Sequence, residues 1–112
     1  MKYTGKSRGF VWGNCTYFVA MNKTVTWRGN AKEWLRNAAK QGVPTGSVPA
    51  TGAIVVFNGH GYNPYYGHVG IVLEVHDDYI IVKDMNYRAL NEVTVRKVLK
   101  NEAAIKGYIY VD

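Results

Sequence analysis

Two textures divide the chain near Pro49. Before it, apolar residues recur at helical spacing. After it, they gather in short runs broken by Gly, Asn, Asp and Pro. The clearest helical signal is Ala31, Trp34, Leu35, Ala38 and Ala39, whose i, i+3, i+4, i+7, i+8 rhythm predicts one buried face. Asn30 is the expected N-cap, Gly42 the expected stop, and Pro44 prevents resumption. An earlier apolar run, Tyr17-Phe18-Val19-Ala20, follows Gly13-Asn14-Cys15, so a short helix should open at Cys15 with Asn14 as its cap. Residues 24–29 read as an irregular connection with Trp27 packed inward.

Beyond Pro49 the pattern is β. Pro49-Ala50-Thr51-Gly52 reads as a turn feeding a buried, β-branched strand over 53–57. Residues 58–67 are rich in Gly, Asn and Tyr and read as a loop. Its tyrosines would wall a ligand cleft or simply cover the core. Strands are expected over 69–75 and 79–86, with His76-Asp77-Asp78 as the hairpin turn, and again over 94–99 and 107–111. Helices first and a strand meander afterwards predict an α+β fold: N-terminal helices on an antiparallel sheet of five to six strands, in a single domain spanning residues 1–112.

Composition narrows the picture. At 112 residues and 47 % apolar, the chain can build one core, and disorder is excluded. No apolar run reaches the length of a membrane span, and residues 1–6 lack the apolar segment of a secretory signal. The net charge of +6 points to an anionic partner. Its basic residues are scattered, with Lys2, Lys6 and Arg8 at one end and Arg88, Arg96, Lys97 and Lys100 near the other. No nucleic-acid motif accompanies them, so specific nucleic-acid binding is not expected. One cysteine excludes an internal disulfide, and three widely spaced histidines lack zinc-ligand clustering, so neither a metal nor a cofactor is expected.

The candidate chemistry starts at Cys15. A thiol at a helix N-terminus meets unpaired N–H groups and the positive end of the dipole, which favour the reactive thiolate. A small core hydrophobe is the alternative. A nucleophilic thiol needs a base, and the base needs an orienting group. His60 falls in the loop and His76 in the hairpin turn, whereas His68 begins a strand and is held rigidly. Asp84 and Asn86, two apart, leave the same face of the next strand as candidate orienters; a polar strand end facing water is the other reading. They reach His68 only in one register. A two-residue turn alone would turn them to the wrong face, whereas a three-residue turn or a nearby bulge sets His68 opposite Asn86 and Gly70 opposite Asp84.

Successive blocks of the sequence resemble the CHAP family. They are Gly13-Asn14-Cys15-Thr16-Tyr17-Phe18-Val19, Gly29-Asn30-Ala31 with Trp34, Pro49-Ala50-Thr51-Gly52-Ala53-Ile54, Gly67-His68-Val69-Gly70-Ile71-Val72, Asp84-Met85-Asn86-Tyr87 and Gly107-Tyr108-Ile109-Tyr110. Members are cysteine- and histidine-dependent amidohydrolases or peptidases with a papain-like core, common in phage lysins and bacterial wall hydrolases. No histidine follows His76, which separates the chain from the NlpC/P60 relatives that orient the base with a second histidine.

The resemblance implies Cys15 as nucleophile, His68 as base and then acid, and Asp84 and Asn86 as orienters. Family members usually carry Glu where Asp84 stands; the shorter Asp is expected to reach His68 less well and to leave Asn86 more of that role. They often carry Gln where Asn14 stands, as an oxyanion donor. Trp12, Tyr65 and Tyr66 are the candidate substrate contacts. Some relatives bind calcium through carboxylates before the cysteine; Lys6-Ser7-Arg8-Gly9 offers none. The implied function is a monomeric peptidoglycan hydrolase, made without a signal peptide and acting at the bacterial wall as a phage lysin, virion component or secreted effector. The alternatives are a catalytically weak wall-binding or virion module, and papain-like acyl transfer on protein substrates.

Overall fold

The computed structural model describes residues 9–112. Lys2, Lys6, Arg8 and the N-terminal expectations on calcium and on a signal segment lie outside the described residues. Helix α1 spans Cys15–Asn22, a 3-10 turn covers Ala31–Glu33, and α2 runs Trp34–Lys40. Six strands follow among the described residues: β1 Thr45–Gly46, β2 Ile54–Phe57, β3 His68–Val75, β4 Tyr79–Met85, β5 Val93–Leu99 and β6 Ile105–Ile109. They form one antiparallel sheet in the order β1-β6-β2-β3-β4-β5. The α+β architecture is the one expected, with two departures from a simple meander. β2 to β5 follow one another, but β6 returns to the other side of β2, and the two-residue β1, unassigned from the sequence, pairs with it at the edge. β6 also starts earlier than expected, because the pairing slips by one residue around Lys106, from Val56↔Gly107 to Phe57↔Ile105.

β2 is buried at every position, which explains its unbroken apolar run. Ile54 and Val56 join Val69, Ile71, Met85 and Ile109 under α1 and α2, against Phe18, Val19, Trp27, Trp34 and Ala38. Val55 and Phe57 face the opposite way and pack with Val72, Ile80, Val82, Val98 and Tyr108. Trp27 is buried as expected and meets Trp34 edge-on, 5.5 Å between centroids. The second helix is shorter than its periodicity predicts. Its first turn is 3-10, with the Glu33 carboxylate accepting from the Asn30 N–H at 3.0 Å, and Ala39 lies exposed on the flank of the buried stripe.

The β3–β4 register settles how the hairpin is built. Val75 pairs with Ile80 near the turn, yet Val72 pairs with Val82 and Ile71 with Lys83 beyond it. The extra residue is therefore absorbed by a bulge at Leu73 rather than in the loop, the second of the two routes the sequence left open. Continued past Ile71↔Lys83, the pairing sets Gly70 opposite Asp84.

Residues 58–67 are pinned rather than loose. Asn58 Oδ1 accepts from the His60 N–H, Asn63 Oδ1 accepts from Tyr65 and Tyr66, and the Lys32 N–H donates to Tyr66 O at 2.8 Å. Gly67 closes the loop at φ +72°, where an added Cβ would lie 2.6 Å from both Phe57 O and Lys32 Cβ. Gly67→Ala should therefore lower the unfolding free energy by about 2 kcal/mol in urea titrations; an unchanged midpoint would contradict this packing.

Candidate active site

Cys15 and His68 come from opposite halves of the chain and meet at one end of the sheet. Cys15 is the first residue of α1, and His68 is the first of β3. Both line a cleft of about 850 Å³, together with Asn14, Tyr62, Tyr66 and Asn86. Cys15 belongs at once to the core cluster under α1 and to the lining of this cleft. His68 is 4 % exposed. Its alternation parity is that of Val72, on the sheet face away from the helices.

His68 Nε2 lies 2.9 Å from Asp84 Oδ2. Asp84 is an ionised acceptor, so Nε2 carries the proton and donates, which leaves Nδ1 as the nitrogen available to the thiol. Asp84 thus does reach the ring, despite its short side chain. The reason is Gly70. Asp84 stands opposite Gly70 and contacts His68 diagonally, through space that a side chain would fill: an added Cβ would lie 2.5 Å from Val82 Cγ1 and 3.2 Å from Asp84 Cβ.

Asn86 is engaged on the other side of the cleft. It follows β4 in the left-handed region at φ 63°, and its Nδ2 donates to Asn14 Oδ1 at 2.8 Å. Asn14 occupies the N-cap position, but its side chain makes no capping bond, because Oδ1 is engaged by Asn86. That bond turns the Asn14 Nδ2 group the other way. The 86–92 turn is tied beside the start of α1 by Asn86 N–H to Glu92 O and Asn91 N–H to Gly13 O.

Tyr66 lines the cleft, whereas Tyr65, 76 % exposed, and Trp12 do not belong to its lining. The candidate substrate contacts thus divide: exposed Tyr66 lines the cleft, Tyr65 faces solvent outside it, and Trp12 sits exposed one residue beyond Val11 on the rim. His60 is exposed, and His76 stacks on Tyr79 while bonding Glu74, outside the cleft lining. Among the described residues no three His, Cys, Asp or Glu side chains gather as a metal site requires.

Sequence reasoning missed the layer behind the pair. Thr94 Oγ1 donates to Asp84 Oδ1, and Arg96 donates twice to Oδ2, from Nε at 3.0 Å and Nη2 at 2.7 Å. Tyr62 stacks on the His68 ring at 5.1 Å and Tyr87 lies over the Arg96 guanidinium at 3.7 Å. A signal existed. On β5 the polar Thr94 and Arg96 alternate with Val93 and Val95, and it is the valines that are exposed. That inverted alternation marks a polar face turned inward.

Charge follows geometry. Burial alone would hold His68 neutral, but hydrogen bonds to Asp84 and Cys15, and their negative charge, outweigh it and raise its pKa to about 9. Burial likewise opposes the Asp84 carboxylate, and the bonds from His68, Arg96 and Thr94 overcome it and hold its pKa below the ordinary value.

The CHAP domain model matches residues 5–86. The chain belongs to the CHAP domain family. Among curated proteins it is 32 % identical to the staphylococcal secretory antigen SsaA of Staphylococcus aureus (strain NCTC 8325 / PS 47) over 96 % of this chain and 43 % of that protein. It is 35 % identical to SsaA of Staphylococcus epidermidis over 88 % of this chain and 38 % of the relative. The chain therefore spans less than half the length of these relatives. Among solved structures, an N-acetylmuramoyl-L-alanine amidase from S. aureus superposes with a TM-score of 0.76 at 25 % identity, over 96 % of this chain and 34 % of that one. Ly7917 superposes with a TM-score of 0.68 at 20 % identity, over 88 % of this chain and 53 % of that one. The papain-like CHAP fold is thus the fold of this chain.

The elevated His68 pKa has a consequence for folding. Folding raises it from 6.5 to about 9, so the stability it supplies is complete below pH 6.5 and is lost as pH climbs through about 9. Thermal melts of the wild type should fall across that interval, and His68→Gln should flatten this part of the curve. A wild-type profile as flat as the variant's would contradict the buried pair.

Proposed function

We propose that this CHAP domain is a peptidoglycan hydrolase that cuts an amide bond by acyl transfer to Cys15. The observation that carries the proposal is that Cys15 lines one cleft with His68, whose ring is held from behind by Asp84 at 2.9 Å. His68 Nδ1 takes the thiol proton, and the sulfur attacks the scissile carbonyl. The tetrahedral oxyanion is met by the Cys15 N–H and by Asn14 Nδ2, whose orientation Asn86 maintains. Collapse expels the amine with the proton from His68. Water, deprotonated by the same ring, then hydrolyses the thioester to release a carboxylic acid and free Cys15. Asp84 holds the imidazole in the Nε2–H form throughout.

The cleft suits an anionic substrate. Arg28 and Arg88 line it, and among the described residues no carboxylate does. With the net charge of +6, this favours a polymer carrying carboxylates, as peptidoglycan stems do. The scissile bond is either muramoyl–alanine, as the amidase neighbour's name suggests, or a peptide bond of the stem or crossbridge. The secretory-antigen relatives support action outside the cell, on the wall, whether the chain arrives as a phage lysin or as a secreted bacterial protein. Asp84 reaching His68 weighs against the catalytically weak module.

Zymography on purified murein tests the reading. Wild type should lyse, Cys15→Ala should not, and His68→Ala should lose about 10²–10⁴-fold. Wall binding without lysis by either wild type or Cys15→Ala would favour the binding module, and amine incorporation into protein without wall cleavage would favour the acyl-transfer alternative. Mass spectrometry of the soluble fragments identifies the bond from its new termini. Arg28→Ala and Arg88→Ala should each raise KM for murein fragments severalfold with little change in kcat, an effect that added salt diminishes; unchanged KM in both would remove the anionic-cleft argument.

A further inference from the structure

Arg96 occupies a singular place behind the acid–base pair. It stands on β5 two residues after Thr94, pairs in register with Val82, and reaches back along the sheet to Asp84. Asp84 has no exposed surface, and Arg96 is 13 % exposed at the side chain. One guanidinium makes all of the following contacts. Nε and Nη2 both donate to Asp84 Oδ2, the same oxygen that receives the His68 proton donor. Nη1 donates to the Tyr62 hydroxyl at 3.2 Å, and Tyr62 is the ring stacked on His68. The Cζ atom lies 3.7 Å from the centroid of Tyr87, which itself packs at 6.1 Å from the His68 ring. A single planar group thus braces the carboxylate beneath the imidazole and both aromatic rings beside it.

We infer that Arg96 is a positioning residue for the Cys15–His68 pair, setting both the ionisation of Asp84 and the orientation of the imidazole; this rests on the hydrolase reading above. The groups around His68 and Asp84 are Cys15 from α1, Tyr62 from the 58–67 loop with Glu102 on its hydroxyl, Tyr87 after β4, and Thr94 and Arg96 from β5, while Arg28 and Arg88 line the cleft. Arg96 is the cation bonded to Asp84. Without it Asp84 would be a buried carboxylate shared by Thr94 and His68, with no fixed cation to offset its desolvation. Removal of that charge makes Asp84 harder to ionise, and a protonated Asp84 no longer holds the imidazolium; the loss of repulsion between guanidinium and imidazolium acts the other way and is the smaller effect where Asp84 takes up a proton. Lysine restores charge but not the planar fork, the Tyr62 bond or the stacking.

Cys15 alkylation by iodoacetamide as a function of pH reads the ion pair without any substrate. In Arg96→Gln the alkylation rate at neutral pH should fall severalfold as the imidazole loses its fixed orientation, and in Arg96→Lys it should recover only part of the way. Murein turnover should stay about tenfold low in Arg96→Lys, with KM unchanged. An Arg96→Gln profile superimposable on the wild type would overturn the inference. A wild-type protein that alkylates as expected but cuts no murein would instead overturn the hydrolase reading and leave Arg96 in its role. Should Arg96→Gln not fold, NMR of the wild type decides. The Arg96 Nε–H resonance should be slow to exchange and should shift with the His68 titration; a solvent-averaged resonance indifferent to His68 would sink the assignment.

Discussion

A carboxylate with no contact with water is the constraint on which this structure turns. Asp84 is wholly buried, and an unpaired charge there would cost several kcal/mol. Every neighbour is arranged to prevent that. His68 and Arg96 converge on one oxygen and Thr94 takes the other, from the two strands that flank β4. The arrangement requires a specific β3–β4 register, a bulge at Leu73 to create it, and an empty place at Gly70 for the contact to pass through. A one-residue slip would bury Lys83 and Met85 on that face instead.

From this anchor the site grows outward to the cleft. The imidazole fixed by Asp84 is covered by Tyr62, and its other nitrogen is left for Cys15. The loop that carries Tyr62 owes its shape to two Asn turns and to Gly67, and it is fastened to the turn that begins the second helix. On the far side, Asn86 and Asn91 in the left-handed region fold the 86–92 turn back against Gly13. That turn brings Asn86 to Asn14, so the residue beside the thiol is oriented by a residue 72 positions away. The core under α1 sets the height of Cys15 over the sheet. The polar network on the opposite face sets the height of His68.

The relationship to longer proteins fits this compactness. SsaA and the amidase align with this chain over well under half of their own lengths, so the unit they share with it is the sheet, the two helices and the cleft. This chain carries Asn14 and Asp84 where the resemblance to the family led to the expectation of Gln and Glu, and its structure accommodates both shorter side chains locally. Gly70 lets the shorter acid approach, and Asn86 orients the shorter amide.

Much of this was legible in the linear order of residues. Apolar periodicity located the second helix, a Gly-Asn cap before an apolar run located the first, unbroken or alternating apolar runs located β2 to β5, and Gly-Asn punctuation located the turns, because each signal is local. The placement of Cys15 at a helix start and His68 at a strand start followed from the same rules, and the demand that Asp84 face His68 limited the register to two routes. What the chain could not show by itself was which route is taken, that β6 returns beside β2, that Asn86 bonds Asn14, or that Tyr62 stacks on the imidazole. Arg96 is the sharpest case: in one dimension it is one scattered cation among fourteen basic residues, and only packing of β5 on β4 turns it inward. Local preference depends on neighbours in sequence, whereas the pairing of buried charge depends on which strands lie side by side, and that is decided by the whole core at once.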